Sequence, residues 1–126
     1  MNEPWQSRAA RPGAAPLLQF GIATEVERLK QEPAWRSGSR NAITLTKEPG
    51  LRVVLTVLRK GTRLHEHQAA GPLTLQVIAG RLDLHAAGRA LALGPGDVAV
   101  LEAAVEHEVQ AVEEAAFLLT IAAAAA

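Results

Sequence analysis

The chain contains no cysteine. Disulfides, thiolate metal sites and a cysteine nucleophile are therefore excluded. It has no tyrosine either, and only two tryptophans and two phenylalanines among its 126 residues. So few aromatics offer no stacking platform for single-stranded nucleic acid, and they require a core of aliphatic side chains. An excess of one charge is also missing: 13 basic residues balance 13 acidic ones, with no long run of either. Nucleic-acid binders normally display a basic patch or stripe, so no nucleic-acid partner is expected. No apolar run is long enough to span a bilayer, and the opening MNEPWQSRAARPGAAP has no signal-peptide core. The expectation is a soluble, cytoplasmic protein without a membrane partner.

What the chain does have is aliphatic sequence, with 48% apolar residues, enough for the core of one domain. Met1 to about Pro16 shows no period and reads as a mobile arm. From Leu17 to Glu32 the apolar Phe20, Ile22, Val26 and Leu29 fall on one helical face. Thr24 with Glu27 is compatible with a capping box. Pro33 is expected to end this helix, and Trp35 to pack it on the body. From Ala42 onward the pattern is short strands and turns: Ala42–Lys47, Leu51–Arg59, Leu73–Ala79, Arg81–His85, Arg89–Leu93, Asp97–Leu101, His107–Val112 and Ala115–Ile121. Pro49-Gly50, Gly80, Ala87-Gly88 and Gly94-Pro95-Gly96 punctuate them. Such spacing predicts an all-β sandwich or barrel. Leu51–Arg59 is apolar on both faces, so both faces are expected to be covered. Together with the apolar stripe before Pro33, this strand predicts a homodimer.

The chemistry-bearing residues are histidines. His65 and His67 stand two apart in a strand-like segment, so their side chains share a face and can meet one metal ion. In Glu106–Ala111, His107 alternates in phase with Val109 and Ala111, which marks its face as the inner one. Neutral imidazole is a common ligand for Zn, Fe, Ni and Cu. By the same parity His85 sits with Arg81 and Asp83, opposite Leu82 and Leu84, and faces solvent at a hairpin end. Arg63 is in phase with His65 and is a candidate for holding a substrate carboxylate.

These stretches resemble the two cupin motifs. Gly61, His65, His67 and Gly80 match the first, and Pro95, Gly96, Asp97 and His107 match the second. The resemblance covers about Ala42 to Ile121, and the chain also looks like small conserved-barrel cupins with a helical N-terminal extension. It implies an all-β, double-stranded β-helix (jelly-roll) barrel over residues 39–122. Residues 1–38 then form an arm and a short helix packed on the barrel, and 123–126 a tail. It also implies a divalent metal ion (Fe, Zn, Ni or Mn) held by His65, His67 and His107, with a small-molecule ligand beside it.

Departures from the pattern bear on function. The glutamate usual seven residues before the first motif's final glycine is Leu73, in phase with Leu75 and Val77. Gln76 is the nearest polar replacement, with the wrong parity unless a bulge intervenes. The proline and glycine usual before the second-motif histidine are Glu102 and Ala104, and the asparagine usual after it is Ala111. Besides a barrel that serves mainly as a protein-interaction module, two functions stay open. One is a three-histidine, metal-dependent small-molecule enzyme or binder, which as an enzyme resembles cupin dioxygenases, with oxygen-dependent oxidation at a ferrous centre. The other is a metal-free or non-catalytic ligand-binding or sensor barrel, in which the histidines are hydrogen-bonded residues of the barrel mouth.

Overall fold

The computed structural model describes residues 16–66 and 71–122. The expected N-terminal arm, His67 and the C-terminal tail lie outside or mainly outside these residues. Two short helices, α1 (Ile22–Leu29) and α2 (Pro33–Arg36), precede the strands. These are β1 (Arg40–Glu48), β2 (Leu51–Leu58), β3 (Arg63–Glu66), β4 (Leu73–Ala79), β5 (Leu82–Ala86), β6 (Arg89–Leu93), β7 (Val98–Leu101), β8 (His107–Ala111) and β9 (Ala115–Ala122). They form a five-stranded sheet in the order β1-β2-β9-β4-β7 and a four-stranded sheet in the order β3-β8-β5-β6. Every paired neighbour runs antiparallel. The expected all-β jelly roll with a short N-terminal helix is the observed architecture.

Strand alternation sorts the side chains into two cores. Leu58, Leu73, Leu75, Val77, Leu82, Leu84, Val109 and Phe117 belong to the core between the sheets. Leu55 and Val57 of β2 face the other way, joining Leu29, Trp35, Ile43, Leu45 and Ala116 beneath the helices. Both faces of β2 are thus covered, as its composition requires, and the cover on the second face is the chain's own N-terminal segment.

The helix differs from its sequence expectation at both ends. It starts after Gly21, with no side-chain cap, so Thr24 lies inside the first turn rather than before it. It stops at Leu29, and Pro33 begins a second, single-turn helix instead of ending the first. Proline suits that place, because the first helical position has no use for a backbone N–H. Asn41 ties the break to β1: its Nδ2 donates to the Leu29 carbonyl and to Glu32 Oε1, both at 2.9 Å.

Trp35 is the pin of this layer. Its ring is buried, and the Arg59 guanidinium lies 4.3 Å from the ring centroid. The same guanidinium donates to the Trp35 carbonyl at 2.9 Å and the Gly38 carbonyl at 3.0 Å. One side chain therefore satisfies two loop carbonyls and stacks on an aromatic face. At the far end of β4, Gly80 has φ of +79°, and a Cβ there would collide with the Glu114 carbonyl and the Ala115 Cα. That glycine is required both by its backbone conformation and by the close approach of β9.

Chemical denaturation tests this account of the helical layer. Trp35→Ala is expected to cost about 3–5 kcal/mol, the range for truncating a buried aromatic. Arg59→Ala is expected to cost about 1–3 kcal/mol, and Arg59→Lys to restore less than half of that, since an ammonium cannot serve both carbonyls and the ring. Full recovery by lysine would mean that only the charge matters.

Candidate functional site

A cavity of about 400 Å³ lies between the two sheets. Its walls are mostly apolar, from Val54 on β2, Leu73 and Leu75 on β4, Phe117, Leu119 and Ile121 on β9, and Leu64 and Val109 on the facing sheet. Three buried polar residues line it, His107, Thr56 and Asn41, at 4%, 6% and 9% exposure, and the Asn41 amide is already engaged with Leu29 and Glu32. Two charged side chains reach it, Arg40 and Arg52, both on exposed residues. Among the described residues, no Asp or Glu lines it.

Strand directions set where these groups stand. Arg52 pairs with Ile121 across β2 and β9, and Ile121 pairs with Leu73 across β9 and β4. In the smaller sheet His107 begins β8 and pairs with Ala86, the last residue of β5, and with Glu66, the last of β3. Leu73 also pairs with Leu101, the last residue of β7, from which five residues lead to His107 at the start of β8. Arg52, Leu73 and His107 therefore belong to one end of the barrel. Arg40, opposite Leu58, belongs to the other end of the β1–β2 hairpin.

The His107 ring is held by a hydrogen bond, with Nδ1 3.2 Å from the Val105 carbonyl. A carbonyl can only accept, so Nδ1 carries the proton and the neutral ring has Nε2 as its acceptor.

His65 lies elsewhere. In the β3–β8 pairing Leu64 opposes Val109, Glu66 opposes His107, and His65 opposes Glu108. Directly opposed residues point to the same face, and successive residues to opposite faces. Leu64 therefore goes inward with Val109, while His65 and Arg63 go outward with Glu108. The His65 side chain is 52% exposed; its Nε2 is 3.4 Å from Glu106 Oε1 and its Nδ1 3.8 Å from Glu108 Oε1. His85 also opposes Glu108, from the β5 side, and is exposed as its parity predicted. His65, Glu108 and His85 form a row across the outer surface and, with Glu106 and the edge of His107, line a shallow depression of about 450 Å³.

By strand alternation His65 and His107 stand on opposite faces, though both line the outer depression, and His67 is outside the described residues. Arg63 is on the outer face with His65. Its Nη1 stands 3.6 Å from Glu108 Oε2 on the outer surface, away from the cavity. Gln76 is on the outward face of β4, opposite Val98 and Leu118. The register of β4 is regular from Leu73 to Val77 and shifts only beyond it, so no bulge turns Gln76 inward.

A barrel-held metal can be tested on these residues. The inner face offers His107, the usual carboxylate position is the buried Leu73, and His65 points away. Among the described residues no three His, Asp or Glu side chains are grouped to hold an ion. The described residues supply two of the three expected histidines, His65 and His107, on opposite faces of the barrel wall.

Sequence reading missed Arg40, Arg52 and Thr56. For the last two a signal was present: they share parity with Val54, so a cation and a hydroxyl stand on the inward face of a strand that is otherwise aliphatic.

No family model matches the chain. No curated protein matches it either. Solved structures do. A cupin superfamily protein from Desulfitobacterium hafniense superposes with a TM-score of 0.65 at 15% identity, over 68% of this chain and 78% of that one. The fold is the cupin barrel. An RmlC-like cupin from Shewanella frigidimarina gives a TM-score of 0.63 at 19% identity, over 69% of this chain and 78% of its own. A conserved Streptococcus pyogenes protein of unknown function gives 0.69 at 17% identity, over 94% of this chain and 97% of that one. The first two matches are about the length of the cupin barrel, and the third extends beyond it. At these identities the likeness speaks for the cupin fold alone. No helix among the described residues is long and apolar enough to cross a membrane.

Histidine modification by diethylpyrocarbonate, mapped by peptide mass, tests the two faces. His65 and His85 are expected to react readily in the native protein, and His107 only after denaturant is added. Equal native reactivity of His65 and His107 would place them on one face and contradict the β3 register.

Proposed function

We propose that this cupin binds a small molecule in its interior cavity, without a barrel-held metal ion. The observation that carries this reading is the composition of the cavity wall: about 400 Å³ of mostly aliphatic surface with His107 as its imidazole. Pockets of this size and character, apolar with a few convergent polar groups, are the usual form of small-molecule sites. Thr56 and His107 supply the directional hydrogen bonds, and the apolar walls supply the bulk of the affinity. The metal-dependent dioxygenase reading gains nothing from His65, whose neighbours are Glu106 and Glu108 on the outer surface.

The homodimer expected from the sequence belongs to the same proposal, with altered support. The second apolar face of β2 is already buried under α1 and α2, so it does not call for a partner. Exposed apolar side chains that a second copy could cover include Val98 and Val100 of β7, at the edge of its sheet, at 53% and 73% exposure.

A screen of small organic ligands by thermal shift, repeated on Val54→Phe, tests the cavity. Val54 lines it, and the larger ring occupies space a ligand needs. Ligands that raise the melting temperature of the wild type are expected to have no effect on Val54→Phe, while the unliganded variant stays folded. Ligands that stabilise both proteins equally would place binding outside the barrel.

A further inference from the structure

We infer that the ligand of the cavity is a small amphiphilic anion, with its charged head at Arg52 and its apolar body along Val54 toward Phe117. This rests on the reading of the cavity as a ligand site and adds the chemical class of the ligand.

Charge is the first argument. Among the described residues, the ionised side chains that line the cavity, Arg40 and Arg52, are both cationic, and none that lines it is a carboxylate. A cleft with one sign of charge and low-dielectric walls concentrates the opposite charge. The whole chain carries no net charge, so the sign of this cavity is a local feature.

The second argument is that these guanidinium groups are not engaged in holding the fold. Arg63 meets Glu108, Arg28 meets Glu25, and Arg59 is committed to Trp35 and two carbonyls. Among the described residues Arg40 and Arg52 have neither an ion pair nor a side-chain hydrogen bond. An arginine fork without a protein partner beside an apolar cavity suits a bidentate anion such as a carboxylate.

Geometry separates the two. Arg52, Val54 and Thr56 follow one another on the inner face of β2, from the exposed Arg52 to the buried Thr56. This order presents a cation at the mouth, an aliphatic wall behind it and a hydroxyl in the interior. Arg52 is also at the barrel end where β8 begins with His107, whereas Arg40 is six residues away along β2, about 20 Å at ~3.3 Å per residue. Arg52 is therefore the head-group residue, and Arg40 contributes only through the field.

Calorimetric titration of the full chain with octanoate and with 1-octanol tests this. The expected result is that octanoate binds more tightly than octanol, and that Arg52→Ala lowers octanoate affinity about tenfold or more, the worth of a charged hydrogen bond. Octanol affinity should be unchanged by Arg52→Ala, octanoate affinity should change less than about threefold in Arg40→Ala, and Val54→Phe should abolish both. If both probes bind equally, ignore Arg52→Ala and are blocked by Val54→Phe, the cavity is a ligand site but the anionic class is wrong. If octanoate binding survives Val54→Phe, it is surface binding and the inference fails. If neither probe binds the wild type, the inference fails; whether the cavity reading fails with it is decided by the broader screen on Val54→Phe.

Discussion

The pairing of β3 with β8 decides what the barrel interior is made of. Side chains alternate with a period of two, so a one-residue change of register exchanges every side chain between interior and surface. With Leu64 opposite Val109, an aliphatic side chain completes the inner wall and His65 stands outside beside Glu108. The apolar cavity, the single inward imidazole of the described residues and the outer row of His65, Glu108 and His85 all follow from that register.

The interior also depends on the other side of the larger sheet. With few aromatics, this chain closes its core with leucine, valine and isoleucine, and the sheet needs cover on both faces. Helices α1 and α2 supply the second cover and are held by Trp35, Arg59 and Asn41. Because the outer face of β2 is buried in this way, its inner face can be left with a cavity and still belong to a packed sheet. The polar residues of that face, Arg52 and Thr56, are then available to a ligand.

Much of the fold was legible in the sequence. Alternation in Leu73–Ala79 and in His107–Ala111 assigned the correct inner faces, and the two-sided apolar pattern of Leu51–Leu58 matched a strand covered on both sides. The site was less legible, for a physical reason. Strand β3 has four residues and one aliphatic side chain, Leu64, so its alternation is a weak signal and the spacing of His65 and His67 outweighed it. Weighed alone, Leu64 between Arg63 and His65 points to the inward face that the structure gives it. The helix ends were missed because the apolar stripe of Ile22, Val26 and Leu29 marks a face and not the last turn, while Pro33 serves equally well as a stop or as a first helical residue.

The absence of native cysteine makes the register directly measurable. Disulfide formation requires Cβ atoms about 3.5–4.5 Å apart, a condition directly opposed residues approach and residues on opposite faces do not meet. The pair Leu64→Cys with Val109→Cys is expected to cross-link within the monomer under mild oxidation, and the pair His65→Cys with His107→Cys to remain reduced. A cross-link between positions 65 and 107, with none between 64 and 109, would put the two histidines on one face. It would return the metal-bound barrel to first place.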